Sequence, residues 1–106
     1  MPPPKMGFAS IDTGASNTCI DEQLAKDLLL PVVDVGFMGS ASHEKTECNI
    51  YPVQIQLTGF QILFQSPRTF GAALKDKGAD VLLGRDLLSR CTLFYNGSNG
   101  EITLSI

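Results

Sequence analysis

Seven residues in the middle of the chain constrain its fold class most. In Tyr51–Leu57 the apolar residues Tyr51, Val53, Ile55 and Leu57 alternate with Pro52, Gln54 and Gln56, the period of two that marks a strand with one buried face. The stretches around it are of the same kind. Gly7–Ile11, Asn17–Ile20, Val32–Met38, Phe60–Phe64, Val81–Leu83, Cys91–Tyr95 and Ile102–Ile106 are short apolar segments, and the whole stretch Thr46–Leu57 reads as strand. Thr13–Ser16, Gly39–His43, Thr58-Gly59 and the "NGSNG" run from Asn96 to Gly100 separate them with turn residues. Two pieces read as helix. Asp21–Leu29 has Leu24, Ala25, Leu28 and Leu29 at helical spacing, Asp21 as N-cap, Glu22 in the first turn and Pro31 as a stop. Asp86–Arg90 reads as one or two helical turns, and Ser66–Gly78 as loop. Many short strands with a hairpin every ten residues or so predict a mainly antiparallel β fold, of barrel or sandwich type.

A length of 106 residues fits one domain with a modest core. Residues 1–6, with three consecutive prolines, read as a linker, and 7–106 as the domain. The net charge of −3 and the lack of a basic run argue against nucleic acid or an anionic membrane as partner. No apolar run is long enough to cross a bilayer as a helix. The N-terminus lacks the apolar segment and cleavage site of a secretion signal, so a cytoplasmic location is expected, with Cys19, Cys48 and Cys91 as reduced thiols. They show no C-x-x-C spacing and read as small buried hydrophobes. The match of Asn96-Gly97-Ser98 to a glycosylation site has no use in that compartment. With one histidine, His43, and scattered cysteines, no metal site is expected, and no organic cofactor. His43 in a hairpin tip, without G-x-S-x-G elsewhere, makes a poor triad. Gly36-x-x-Gly39 is not a phosphate loop, since no Lys or helix start follows.

Asp12 is the residue this scheme leaves unexplained. It stands between an apolar strand and a turn of small residues in "IDTGAS". An Asp-x-Gly turn is common, and a turn-forming role is the plainest reading. The second landmark changes the balance: "VLLGRDLL" follows some seventy residues later, an apolar pair, then Gly, then a short helix and a final hairpin. Together the two motifs resemble the retropepsin-like aspartic proteases, the single-domain relatives of the pepsins, over Phe8–Ile106.

The resemblance implies a closed antiparallel β-barrel of the acid-protease type with one or two short helices. It implies Asp12 as the catalytic residue, with Thr13, Gly14, Ala15 and Ser16 supporting the catalytic loop. Thr13 would bond across to the other chain's loop, Gly14 would leave room for the substrate backbone, and Ser16 would support the loop from behind. Gly39, Ser40, Ala41 and Ser42 would form a flap that binds extended peptide by strand addition. Leu82, Leu83 and Gly84 would brace the Asp12 loop, the two leucines serving also as core. Arg85 occupies a position that in the family forms an ion pair supporting the dimer; a surface arginine is the alternative. Asp21 and Asp86 read as helix-start residues, and Glu22, Asp34, Glu44, Glu47, Asp76, Asp80 and Glu101 as solvated acids.

Metal-free peptide hydrolysis needs a base toward water and an acid toward the carbonyl. Two carboxylates about 3 Å apart share one proton and fill both roles. A chain with one D-T-G supplies one carboxylate, so the arithmetic requires a homodimer with Asp12 paired across the two-fold axis. The expected function is therefore an aspartic endopeptidase acting on polypeptide. The competing reading is a catalytically silent domain of the same kind serving dimerisation or peptide binding. Relatives carry an extra strand ahead of the D-T-G strand, whereas eleven residues precede Asp12 here. The expectation is that either the N-terminal share of the dimer interface is missing or Glu101–Ile106 does that work alone.

Overall fold

The computed structural model describes residues 5–39, 45–57 and 63–105. In chain order the elements are β1 (Ala9–Ile11), β2 (Cys19–Asp21), α1 (Glu22–Asp27), β3 (Asp34–Gly39), β4 (Lys45–Gln56) and β5 (Leu63–Ala72). A 3-10 turn at Lys75–Lys77 leads to β6 (Val81–Leu83), α2 (Arg85–Leu88), β7 (Thr92–Asn96) and β8 (Glu101–Ser105). The fold is mainly β, with two short helices, as expected. No helix of the described residues is long and apolar enough to cross a membrane.

The sheet differs from the expected closed antiparallel barrel. Six strands pair in the order β1-β6-β2-β5-β4-β3, and β7-β8 form a sheet of their own. The pairs β1–β6 and β2–β5 are parallel, the rest antiparallel. Among the described residues no sheet closes into a barrel. The physical reason lies in the connections. Parallel neighbours need crossovers instead of tight hairpins, and β6 reaches its place between β1 and β2 only after the chain has built β3, β4 and β5.

Strand β5 is a second correction. Ser66–Ala72 is strand, where Pro67 and Gly71 read as loop. The register between β4 and β5 shifts between Tyr51 and Val53, and the opposing residues jump from Thr69 to Ser66. Pro52 and Pro67 both fall in that irregularity, where a missing N–H is tolerated. Smaller differences concern bounds: β3 starts at Asp34, leaving Val32 and Val33 outside it. The expected turn at Thr58-Gly59 and the start of its partner strand, Phe60–Ile62, lie outside the described residues.

Helix α1 begins and ends for identifiable reasons. Asp21 caps it, its carboxylate accepting from the Leu24 N–H at 3.3 Å. At the other end the Leu29 N–H donates to Lys26 O and the Leu30 N–H to Ala25 O, the paired bonds of a Schellman stop. Leu29 takes the left-handed conformation there, φ 57°, and is 86% exposed.

The core is centred on β2, whose three residues are all buried. On one side Cys19 packs with Cys48, Ile50, Phe70 and Leu74; on the other Ile20 packs with Leu24, Ala25 and Tyr51. A third cluster, Ile55, Phe64, Leu83 and Leu87, lies under β6 and α2. Cys19 and Cys48 are buried free thiols and Cys91 is half-buried, in keeping with their expected role. Burial, followed by the nearby Cys48, pushes the Cys19 thiol up to about 11.

Several acids expected in solvent are engaged. Glu22 Oε1 accepts from the Tyr51 hydroxyl at 2.8 Å and the Asn49 amide at 3.0 Å. Burial, and then this carboxylate, raise Tyr51 above its ordinary pKa. Asp34 pairs with Arg68 at 2.9 Å, which holds its carboxyl below the usual range. Asp80 accepts from the Phe8 N–H at 2.9 Å and so ties down the start of β1.

Candidate active site

Asp12 is the first residue beyond β1, and the loop it opens runs to Thr18, the last residue before β2. Between those two strands lies β6, parallel to β1 with Ile11 opposite Leu83, and antiparallel to β2 with Cys19 opposite Leu82. The loop must therefore arch past the end of β6. At its start the Asp12 N–H donates to Leu83 O at 3.0 Å, continuing the ladder one residue past the strand. The chain then turns: the Ala15 N–H donates to Asp12 O at 3.2 Å, and the Gly14 N–H to Asp12 Oδ1 at 2.9 Å. The second bond orients the carboxylate. Asp12 and Ala15 are half-buried, while Thr13, Gly14 and Ser16 are exposed. The loop thus keeps its own backbone against the body and presents its D-T-G face outward.

Four consecutive residues of the second motif grip this loop. Leu83 accepts from Asp12, as described. The Gly84 N–H donates to Thr18 Oγ1 at 3.2 Å. The Arg85 N–H donates to Ala15 O at 2.8 Å. The Asp86 carboxylate accepts from Thr18 Oγ1 at 2.7 Å and from the Thr18 N–H at 3.0 Å. Gly84 is there because nothing larger fits. A Cβ at that position would stand 2.5 Å from Asn17 C and O and 2.9 Å from Thr18 N, all backbone atoms. Real Cβ atoms do not approach backbone that closely.

Of the residues expected to brace the loop, Leu83 and Gly84 make direct contact with it. Leu82 is half-buried and packs with the Cys19 cluster. Asp86 does more than start a helix, and Thr18, wholly buried, was not singled out by sequence at all. Nothing local marks that pair, because it joins positions 68 residues apart. Arg85 forms no ion pair among the described residues. It donates to Ser16 Oγ at 2.9 Å and reaches Thr13 O at 3.5 Å. Ser16 thereby acquires a bonding partner consistent with loop support.

Of the expected flap, Gly39 ends β3 opposite Lys45; Ser40, Ala41 and Ser42, and also His43, lie outside the described residues. Past the far end of the Asp12 loop the surface opens into a cleft of ≈ 330 Å³, bounded by Asn17, Ser66, Arg68, Phe70, Asp86 and Arg90. It borders Asn17, and Asp12 is not among its walls. Comparison with family models, with curated proteins and with solved structures gives no match.

Proposed function

We propose that the chain is an aspartic endopeptidase of the retropepsin-like, acid-protease fold type, active as a homodimer in the cytoplasm. One Asp12 from each copy would face its mate and share one proton. The ionised member takes a proton from the attacking water, and the protonated member donates to the scissile carbonyl oxygen. Neither step calls for a metal or an organic cofactor. Because the pair must keep one proton, cleavage is expected to be favoured on the acid side of neutrality.

The observation that carries the reading is Asp12 itself: a half-buried carboxylate oriented by the Gly14 N–H, on an outward-facing loop gripped by Leu83–Asp86. A turn-forming aspartate needs no such grip. The hairpin β7–β8 supports the second copy. Leu93 pairs with Leu104 and Tyr95 with Ile102, so all four lie on one face. Tyr95 is 69% and Ile102 51% exposed. A lone two-stranded sheet is marginal in water, and this one bears its single charge, Glu101, on the opposite face. Two such faces can meet without like charges opposed. The free thiols of Cys19, Cys48 and Cys91 suit a reducing compartment.

The test is digestion of an extended-peptide library between pH 4 and 8 by the wild type and by Asp12→Asn, with sedimentation of both. Wild-type cleavage should fall by about 10³-fold or more in the variant, with circular dichroism and melting unchanged. Undiminished cleavage by Asp12→Asn would end the proposal. A dimer that binds a statine-type inhibitor but cuts nothing would replace it with the peptide-binding reading.

A further inference from the structure

Thr18 has all its polar groups engaged. Its N–H and hydroxyl donate to Asp86, its hydroxyl oxygen accepts from the Gly84 N–H, and its carbonyl accepts from the Phe70 N–H at 3.1 Å. It is 0% exposed, so water offers these groups nothing in exchange. Asp86 is itself an exposed residue, but its carboxylate is committed to the same contact. Its Oδ1 takes the Thr18 hydroxyl, the Thr18 N–H and its own neighbour's Leu87 N–H at 2.8 Å, and its Oδ2 shares the Thr18 N–H. One carboxylate thus joins the far end of the catalytic loop to the first turn of α2.

We infer that Asp86 is a positioning residue for the Asp12 loop, acting through Thr18. The inference rests on the proteolytic reading for its consequence in turnover, and on geometry alone for its effect on the loop. The loop from Asp12 to Thr18 is seven residues long and is tied to β6 at its start by one backbone bond. Without Asp86, its other end would keep the Arg85 bonds to Ala15 O and Ser16 Oγ, the Gly84 contact and the Phe70 bond to Thr18 O. Thr18 would then hold a buried hydroxyl and N–H lacking acceptors, and the loop would relax to find them. Asp12 sits on that loop, and a displacement of about 1 Å at a reacting group can lower a rate by about 100-fold.

Asparagine suits this place less well than a carboxylate. With its oxygen at the Oδ1 position it would still accept from the Thr18 hydroxyl and the Leu87 N–H, but its amide nitrogen would face the Thr18 N–H across the 3.0 Å now spanned by Oδ2, donor against donor. Asp86→Asn therefore loosens the latch without emptying the site, and Thr18→Ser keeps both hydroxyl bonds.

The experiment compares wild type, Asp86→Asn and Thr18→Ser by residue-resolved amide hydrogen exchange and by peptide-cleavage kinetics, at a temperature where each is fully folded by circular dichroism. In Asp86→Asn, exchange at Gly14, Ala15, Thr18 and Arg85 should quicken at least about tenfold while β4 and β5 exchange as in wild type. The kcat should fall by about 10- to 100-fold with KM little changed. Thr18→Ser should stay close to wild type on both measures. Loop exchange in Asp86→Asn equal to wild type would overturn the inference. So would quickened exchange spread evenly over β4 and β5, which marks a general loss of stability. If the wild type cleaves nothing, the proteolytic reading fails, while the exchange comparison still decides whether Asp86 holds the loop.

Discussion

The Asp12 loop with its clamp and the C-terminal hairpin are opposite solutions to one problem, how a short segment without a helix or a broad sheet is held in place. The loop from Asp12 to Thr18 is polar and small-residued, and is held by hydrogen bonds to Leu83, Gly84, Arg85 and Asp86. It is complete within one chain. The hairpin β7–β8 is apolar along one face, shares no ladder with the six-stranded sheet, and leaves Tyr95 and Ile102 largely exposed. Hydrogen bonds are directional and fix one geometry for one set of partners. An apolar face is non-directional and stays unsatisfied until something covers it. The loop is held by groups of its own chain, while the hairpin face stays open to a partner, which the proposed dimer would supply.

Substitutions can set the two regions against each other. The largest effect is expected from Gly84→Ala, where the added methyl meets the Asn17–Thr18 backbone. It should destabilise the fold by about 3 kcal/mol in urea titration, because backbone cannot move aside as a side chain can. A loss under about 0.5 kcal/mol would show that the clamp is loose.

Asp21 comes next, a buried node of the same polar kind outside the loop. Burial pushes its pKa up, but the N–H groups of Leu74, Leu24 and Lys75 and the charge of Lys75 outweigh that and leave it lowered. A carboxylate with a lowered folded pKa stabilises the fold above its unfolded pKa, near 4, and loses that contribution as pH falls through the folded value. Wild-type stability should therefore decline below about pH 4. Asp21→Ala should reduce stability by about 2 kcal/mol at pH 7 and flatten that acid slope. A slope unchanged in the variant would assign it to other carboxylates.

On the hairpin the expected outcome reverses. The double variant Tyr95→Ser, Ile102→Ser should raise the dimer dissociation constant at least about tenfold by sedimentation. The melting of the six-stranded sheet at protein concentrations where the wild type is monomeric should hardly change. If that melting fell sharply, the hairpin would belong to the core of the single chain. The smallest effect is a gain. Leu29→Gly relieves a left-handed residue at the end of α1, remote in sequence from both regions, and should stabilise by about 1 kcal/mol. It serves as the reference against which neither loop rigidity nor association should move.

Much of the architecture was legible because its signals are local. The alternation of Tyr51–Leu57, the cap at Asp21 and the turn at Asn96–Gly100 each depend on residues within a few positions of one another, and each element formed. Strand β5 was misread because Pro67 signals loop on its own, and only the shifted register against Pro52 makes it harmless. Glu22 reads as a solvated acid from its own neighbourhood because its partners, Asn49 and Tyr51, come from another element. In the candidate site, Asp12 and Leu83-Gly84 stood out as a pair of motifs, whereas Thr18 and Asp86 carried no local mark.

By itself the order of residues determined which segments are extended, where they turn, and that a lone acid follows the first strand. These are short-range matters of backbone preference and period. The tertiary structure alone decided that β6 lies between β1 and β2 and that Asp86 meets Thr18. It also decided that Tyr95 and Ile102 on the β7–β8 face are left largely exposed by the other described residues. Those outcomes depend on which distant groups satisfy one another once water is excluded, and a donor and its acceptor 68 residues apart become neighbours only in the folded molecule.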